Sequence, residues 1–142
     1  MSEDFLGSLK VSPYWELLGM KIVCQEEGFA RLEMPVKNEL KQAYGVVHGG
    51  AIASLIDSSI AVAIISGLAP GESATTVEIK VNYLAPVVEG KLFAEAKIAR
   101  KGRTIVVGII EVTDATGALV AIGTSTYMIL RPSNAVKPEQ LG

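Results

Sequence analysis

A chain of 142 residues, 49% of them hydrophobic and 20% charged, carries enough apolar material for one ordered domain, residues 1–142, with a core of its own. Thirteen basic residues against fifteen acidic ones leave a formal charge of −2, which excludes a global basic field of the kind that holds nucleic acid. A single cysteine, Cys24, and a single histidine, His48, exclude an internal disulfide and a Cys/His zinc centre; the expectation is a cytoplasmic protein with no metal and no cofactor.

The acidic start Met1-Ser2-Glu3-Asp4-Phe5 lacks the basic-then-apolar order of a signal peptide. Within the N-terminal segment, about 1–19, Ser12-Pro13 reads as an N-cap followed by proline at the first helical position. Tyr14, Leu17 and Leu18 give that short helix an apolar face, and Gly19 ends it. From Met20 to Val36 the pattern alternates, broken at Glu26-Glu27-Gly28, which predicts two antiparallel strands joined by a tight turn. Lys37 to Tyr44 is a polar loop.

Gly45-Val46-Val47-His48-Gly49-Gly50 then opens an apolar run from Ala51 to Leu68. Ile52, Ile56, Ile60 and Ile64 recur every fourth residue, one stripe of an α-helix, and Ala, Ser, Val and Ile fill the rest of its circumference. A helix apolar nearly all round is a buried helix. Asp57 is its one carboxylate, and a buried carboxylate is costly unless solvated, paired or used. Asp57 with Ser54, Ser58 and Ser59 also divides the run into pieces shorter than the ~20 residues of a membrane span, so no membrane segment is expected.

Pro70-Gly71-Glu72-Ser73 is a break, after which Thr75 to Leu84 alternates Val77, Ile79, Val81 and Tyr83 against Glu78, Lys80 and Asn82. Pro86 closes that strand. Lys91 to Arg100 is a further alternating strand, Lys101-Gly102-Arg103 a turn, and Thr104 to Thr113 a β-branched run apolar on both faces. Asp114-Ala115-Thr116-Gly117 turns into a last strand, Ala118 to Leu130, and about 131–142 reads as a flexible polar tail. The predicted class is α+β: an antiparallel sheet of about five to six strands wrapped around one long central helix. A monomer of this kind would expose too much apolar surface, so the second face of the sheet is expected to meet another subunit.

The order of elements, with a His-Gly-Gly turn opening the buried helix, resembles the hotdog-fold acyl-CoA thioesterases, in particular the phenylacetic acid degradation (PaaI-type) branch. The matching residues are Gln42 to Gly50, Leu55-Ile56-Asp57, Val81-Asn82-Tyr83-Leu84-Ala85-Pro86 and Lys101-Gly102-Arg103, within a match running from about Met20 to Leu130. The resemblance implies hydrolysis of an aryl-acetyl or medium-chain acyl-CoA, with no cofactor beyond the substrate's own coenzyme A. It implies that Asp57 is the catalytic carboxylate, as general base or nucleophile, and that the Gly49 N–H polarises the thioester carbonyl. Gln42 then orients the attacking group or the carbonyl, and Thr76 helps place the water. It also implies a homodimer as the minimal active unit, assembled further into a homotetramer. Relatives in the siderophore and menaquinone pathways usually carry Glu where this chain has Asp57.

The physical chemistry of the residues agrees. Thioester hydrolysis needs a base or nucleophile and an oxyanion donor, and a helix N-terminus with free N–H groups is such a donor. Glycines 49 and 50 let a substrate approach that backbone closely. Gly49 and Asp57 lie eight residues apart, about 12 Å along one helix, too far to serve the same carbonyl within one chain. His48 is either a further catalytic residue or a loop-fixing one. The candidate coenzyme A set is Gly50, Asn82, Lys101, Gly102 and Arg103; the two cations could meet phosphates, and the same three-residue stretch is also a hairpin turn. Two other functions fit the fold: a non-catalytic acyl-CoA sensor, and an enoyl-CoA hydratase or dehydratase.

Overall fold

The computed structural model describes residues 12–132; the N-terminal readings on residues 1–11 and the tail reading on 133–142 lie outside the described residues. Helix α1, Pro13–Leu18, begins after Ser12 and stops at Gly19, whose φ of 74° is the left-handed conformation that glycine tolerates. Trp15 and Leu18 are its buried residues, while Tyr14 and Leu17 stay exposed. Strands β1, Lys21–Glu26, and β2, Phe29–Pro35, form the expected hairpin. The polar loop after β2 is more ordered than its composition suggests: Asn38–Leu40 is a 3-10 turn that buries Leu40.

Helix α2, Gly49–Ile65, is the central helix. Its apolar run continues past the helix end because Gly67 and Leu68 are held by turn bonds to Ile64 and Ile65. The strands that follow are β3, Ser73–Tyr83; β4, Lys91–Lys101; β5, Ile105–Asp114; and β6, Leu119–Leu130. They complete one antiparallel sheet in the order β1-β2-β4-β5-β6-β3. β3 and β4 follow each other in the chain yet are not neighbours, since β3 pairs with β6 and forms an edge.

The sheet curls around α2, and the alternating rows Leu92, Ala94, Ala96 of β4, Val106, Gly108, Ile110 of β5 and Gly123, Ser125, Tyr127 of β6 face the helix. Ile56 and Ile60 are fully buried against Gly123 and Gly108, where an added Cβ would fall 3.0 Å from Ile56 Cγ2 and 1.9 Å from Ile60 Cδ1. These two glycines set how closely the helix lies on the sheet. The run apolar on both faces is β5: Val106, Ile110 and Val112 are buried under α2, and Ile105 and Ile109 are exposed on the other side. Only Ala53, Ser54, Asp57 and Ser58 form a partly open stripe along the middle of α2, one side of the helix at i, i+3, i+4 spacing. No helix among the described residues is long and apolar enough to cross a membrane.

Candidate active site

Two clusters lie along α2. The first is at its N-terminus. His48 is the N-cap, and its Nδ1 accepts from the Gly50 N–H at 2.8 Å. Nδ1 must therefore carry the lone pair, which makes the ring the neutral Nε2–H tautomer in this arrangement. The His48 carbonyl takes the Ala51 N–H at 2.9 Å, and its own N–H is bound to the Leu40 carbonyl at 2.7 Å. Among the described residues nothing accepts the Gly49 N–H, which is left open at the positive end of the helix. His48→Ala is expected to cost roughly 0.5–2 kcal/mol of stability, while His48→Asn, which keeps an acceptor at the cap, loses less. Urea unfolding checks this; equal losses in the two variants would show that the cap is not the reason.

The Gly49 end opens on a cavity of about 400 Å³ lined by Gln42, Val46, Ile52, Leu84 and Pro86, among others. Gln42 is set there by a tight loop in which its N–H donates to the Val46 carbonyl and its carbonyl accepts from Gly45. Gly45 turns that loop at a φ of 81°. Tyr83, at the end of β3, donates from its hydroxyl to the Gly49 carbonyl at 2.6 Å, and its ring lies where a Cβ on residue 49 would come within 3.0–3.3 Å. Partial burial raises the tendency of the Tyr83 hydroxyl to keep its proton.

The second cluster surrounds Asp57, two turns further along. Thr76 Oγ1 donates to Asp57 Oδ1 at 2.8 Å, and the Tyr127 hydroxyl shares its one proton between the same oxygen at 2.7 Å and the Asp57 main-chain carbonyl at 2.9 Å. Among the described residues no donor reaches Oδ2. Burial, and then the Asp57 charge, push the Tyr127 hydroxyl far above the ordinary phenol range, so it remains a donor.

The structure thus brings Gln42, His48, Gly49 and Gly50 together at one end of α2, and Asp57 with Thr76 at its middle, with about 12 Å between Gly49 and Asp57. The proposed coenzyme A set is not gathered within one chain. Asn82 alternates with Tyr83 along β3 and pairs with Ile122, so it lies on the sheet face away from α2. Lys101 Nζ donates to the Gly67 carbonyl, just past the C-terminal end of a 17-residue helix that is about 25 Å long. A cation there also complements the negative end of the helix. Arg103 is exposed beside it, and Gly102 closes the turn by an N–H bond to the Ile105 carbonyl.

Two residues without an assigned role in the sequence reading, Tyr127 and Tyr83, belong to these clusters. Tyr127 resembles any core aromatic in an alternating strand; its signal is a hydroxyl in a row otherwise made of apolar and small residues. Among the described residues there is no group of three or more His, Cys, Asp and Glu side chains able to hold a metal.

Comparison with known proteins bears on the family and the fold. Residues 44–121 match the family model described as the thioesterase superfamily. A presumed esterase of Saccharolobus solfataricus is 36% identical over 122 residues, covering 86% of each chain. Human acyl-coenzyme A thioesterase 13 is 31% identical over 131 residues, which are 89% of this chain and 91% of that one. The PaaI protein of E. coli, from the phenylacetic acid degradation operon, superposes with a TM-score of 0.80 at 25% identity over 88% of this chain and 89% of its own. The chain therefore belongs to the thioesterase superfamily, as a hotdog-fold thioesterase of the PaaI type.

Proposed function

We propose that the chain hydrolyses aryl-acetyl- or medium-chain acyl-CoA thioesters, giving the free acid and coenzyme A, at a site completed by two subunits. The observation that carries this is the separation of the two clusters: an N–H at Gly49 and one oxygen of the Asp57 carboxylate, both without a partner among the described residues, about 12 Å apart. A second α2 running the opposite way brings the partner's carboxylate to the first chain's oxyanion donor. The partly open stripe of small residues around Asp57 leaves room for that approach. β3 is an 11-residue edge with Thr75, Thr76, Val77 and Glu78 exposed, a length of unpaired backbone suited to a second copy of the same strand. The exposed Ile105, Ile109 and Ile122 on the outer sheet face support a further pairing of dimers into a tetramer.

In this arrangement the thioester carbonyl accepts from the Gly49 N–H, with Gln42 beside it. Asp57 then either takes a proton from water as the water oxygen bonds the carbonyl carbon, or attacks that carbon itself to give a mixed anhydride that water afterwards cleaves. In both cases the C–S bond breaks, coenzyme A leaves as the thiolate and takes up a proton, and the free acid is released. The aliphatic wall of Val46, Ile52, Leu84 and Pro86 supports an apolar acyl group. Lys101 and Arg103, at the far end of α2, then serve a coenzyme A held at another subunit's Gly49–Gly50 turn rather than at their own.

Thiol release measured over phenylacetyl-, benzoyl- and straight-chain acyl-CoAs tests the substrate class. The shared site is tested by mixing two inactive variants, Gly49→Ala, whose Cβ would crowd Tyr83, and Asp57→Asn. After subunit exchange, half the dimers are mixed and each holds one intact site, so about a quarter of wild-type activity should return. No recovery after verified exchange would place the whole site within one chain.

A further inference from the structure

The Tyr127 ring is buried in the core, where phenylalanine would fill nearly the same space without a polar atom to satisfy. Tyr127 is 4% exposed, and its hydroxyl donates to the side chain and the main-chain carbonyl of Asp57, with the Thr76 hydroxyl also in hydrogen-bonding reach. A buried hydroxyl costs free energy unless it is bonded, so its position is tied to that carboxylate. Thr76 stands directly opposite Tyr127 in the β3–β6 ladder, and the register shifts immediately after Thr76, where Val77 is the extra residue of a bulge. A bulge re-aims the side chains beside it. Here the cross-strand pair converges on a single atom, Asp57 Oδ1, at 2.8 Å from Thr76 and 2.7 Å from Tyr127.

We propose that Tyr127 and Thr76 are positioning residues that together clamp Asp57 Oδ1 and dedicate Oδ2 to the reaction. The inference rests on the thioesterase site described above and specifies which carboxylate oxygen acts in it. The Tyr127 hydroxyl shares its one proton between Oδ1 and the main-chain carbonyl of Asp57, and together with the Thr76 hydroxyl it holds the carboxylate against a turn about χ2 that would exchange its two oxygens. Oδ2, to which no described residue donates, is then the oxygen left to attack carbon or take a proton from water. Thr76, on this account, holds the carboxylate rather than the water. The hold matters because a reacting oxygen misplaced by about 1 Å can lower a rate about 100-fold.

The test is steady-state thiol release by wild type, Tyr127→Phe, Thr76→Ala, Thr76→Ser and the double variant Tyr127→Phe/Thr76→Ala, with Asp57→Asn as the inactive reference. Each loss of one donor is expected to lower kcat about 10- to 100-fold with KM within about twofold of wild type. Thr76→Ser, which keeps the hydroxyl, should restore most of the rate. Because both donors act on one atom, the double variant should fall short of or exceed the product of the single effects rather than equal it. Wild-type kcat in Tyr127→Phe and Thr76→Ala, while Asp57→Asn is inactive, would overturn the clamp and leave the thioesterase reading standing. Full activity in Asp57→Asn would overturn both. Where Tyr127→Phe fails to fold, Thr76→Ala against Thr76→Ser still reads the clamp, provided gel filtration shows that both variants assemble like the wild type.

Discussion

Asp57→Asn is expected to lower kcat for acyl-CoA hydrolysis by about two to four orders of magnitude, with KM and Tm close to those of the wild type. The amide keeps the volume of the carboxylate, and its oxygen can still accept from Thr76 and Tyr127 as Oδ1 does. What disappears is the negative oxygen on the open side, replaced by an NH2 that neither takes a proton nor attacks carbon. Asp57→Ala should lose the same activity and also stability, because it removes the carboxylate that accepts from the buried Tyr127 hydroxyl. Thiol-release kinetics and thermal unfolding on both variants separate the two effects. Retention by Asp57→Asn of more than a tenth of the wild-type rate would remove Asp57 from the chemistry.

The largest stability loss from a small change is expected at Gly108. Its position on β5 faces α2, and a Cβ there would lie 1.9 Å from Ile60 Cδ1 and 2.6 Å from Ile60 Cγ1. Ile60 is fully buried, so its side chain has little room into which to turn. Gly108→Ala should therefore cost about 1–3 kcal/mol of folding free energy and several degrees of Tm. Ile60→Val, which deletes Cδ1, should cost about 0.5–1.5 kcal/mol alone, yet be neutral or stabilising beside Gly108→Ala. Strictly additive losses in a double-mutant cycle of urea unfolding would show that the helix does not rest on the sheet at this point.

Most of the elements were legible because local signals agreed with one another. Ile52, Ile56, Ile60 and Ile64 at fourfold spacing marked the helix that forms, and the turns at Gly28, Gly71 and Gly117 occur where a positive φ is needed. Each strand's alternation indicated which residues share a face. It did not indicate neighbours. β3 reads like the start of a sequential run into β4, but the chain crosses from Tyr83 to Lys91 and leaves β3 beside β6. Pairing between distant strands depends on which edge remains available after the others close around the helix, and no local pattern encodes that. The bulge at Val77 was hidden for the same reason, since an extra residue shows only against its partner strand.

The sequence by itself singled out the chemistry: Asp57 as the one charge on an apolar helix, and a glycine-rich turn at that helix's N-terminus, too distant from Asp57 to serve the same carbonyl. Those are properties of residue type and of rise per residue along a helix, so spacing suffices to read them. Tertiary structure alone decided what holds each part in place. His48 caps the helix through Nδ1, Tyr83 braces Gly49, Lys101 closes the helix's far end, and Tyr127 with Thr76 grips one oxygen of Asp57. Four of these five residues come from strands or turns 19 to 70 positions away from the groups they bind, and only the folded sheet brings them within hydrogen-bonding distance.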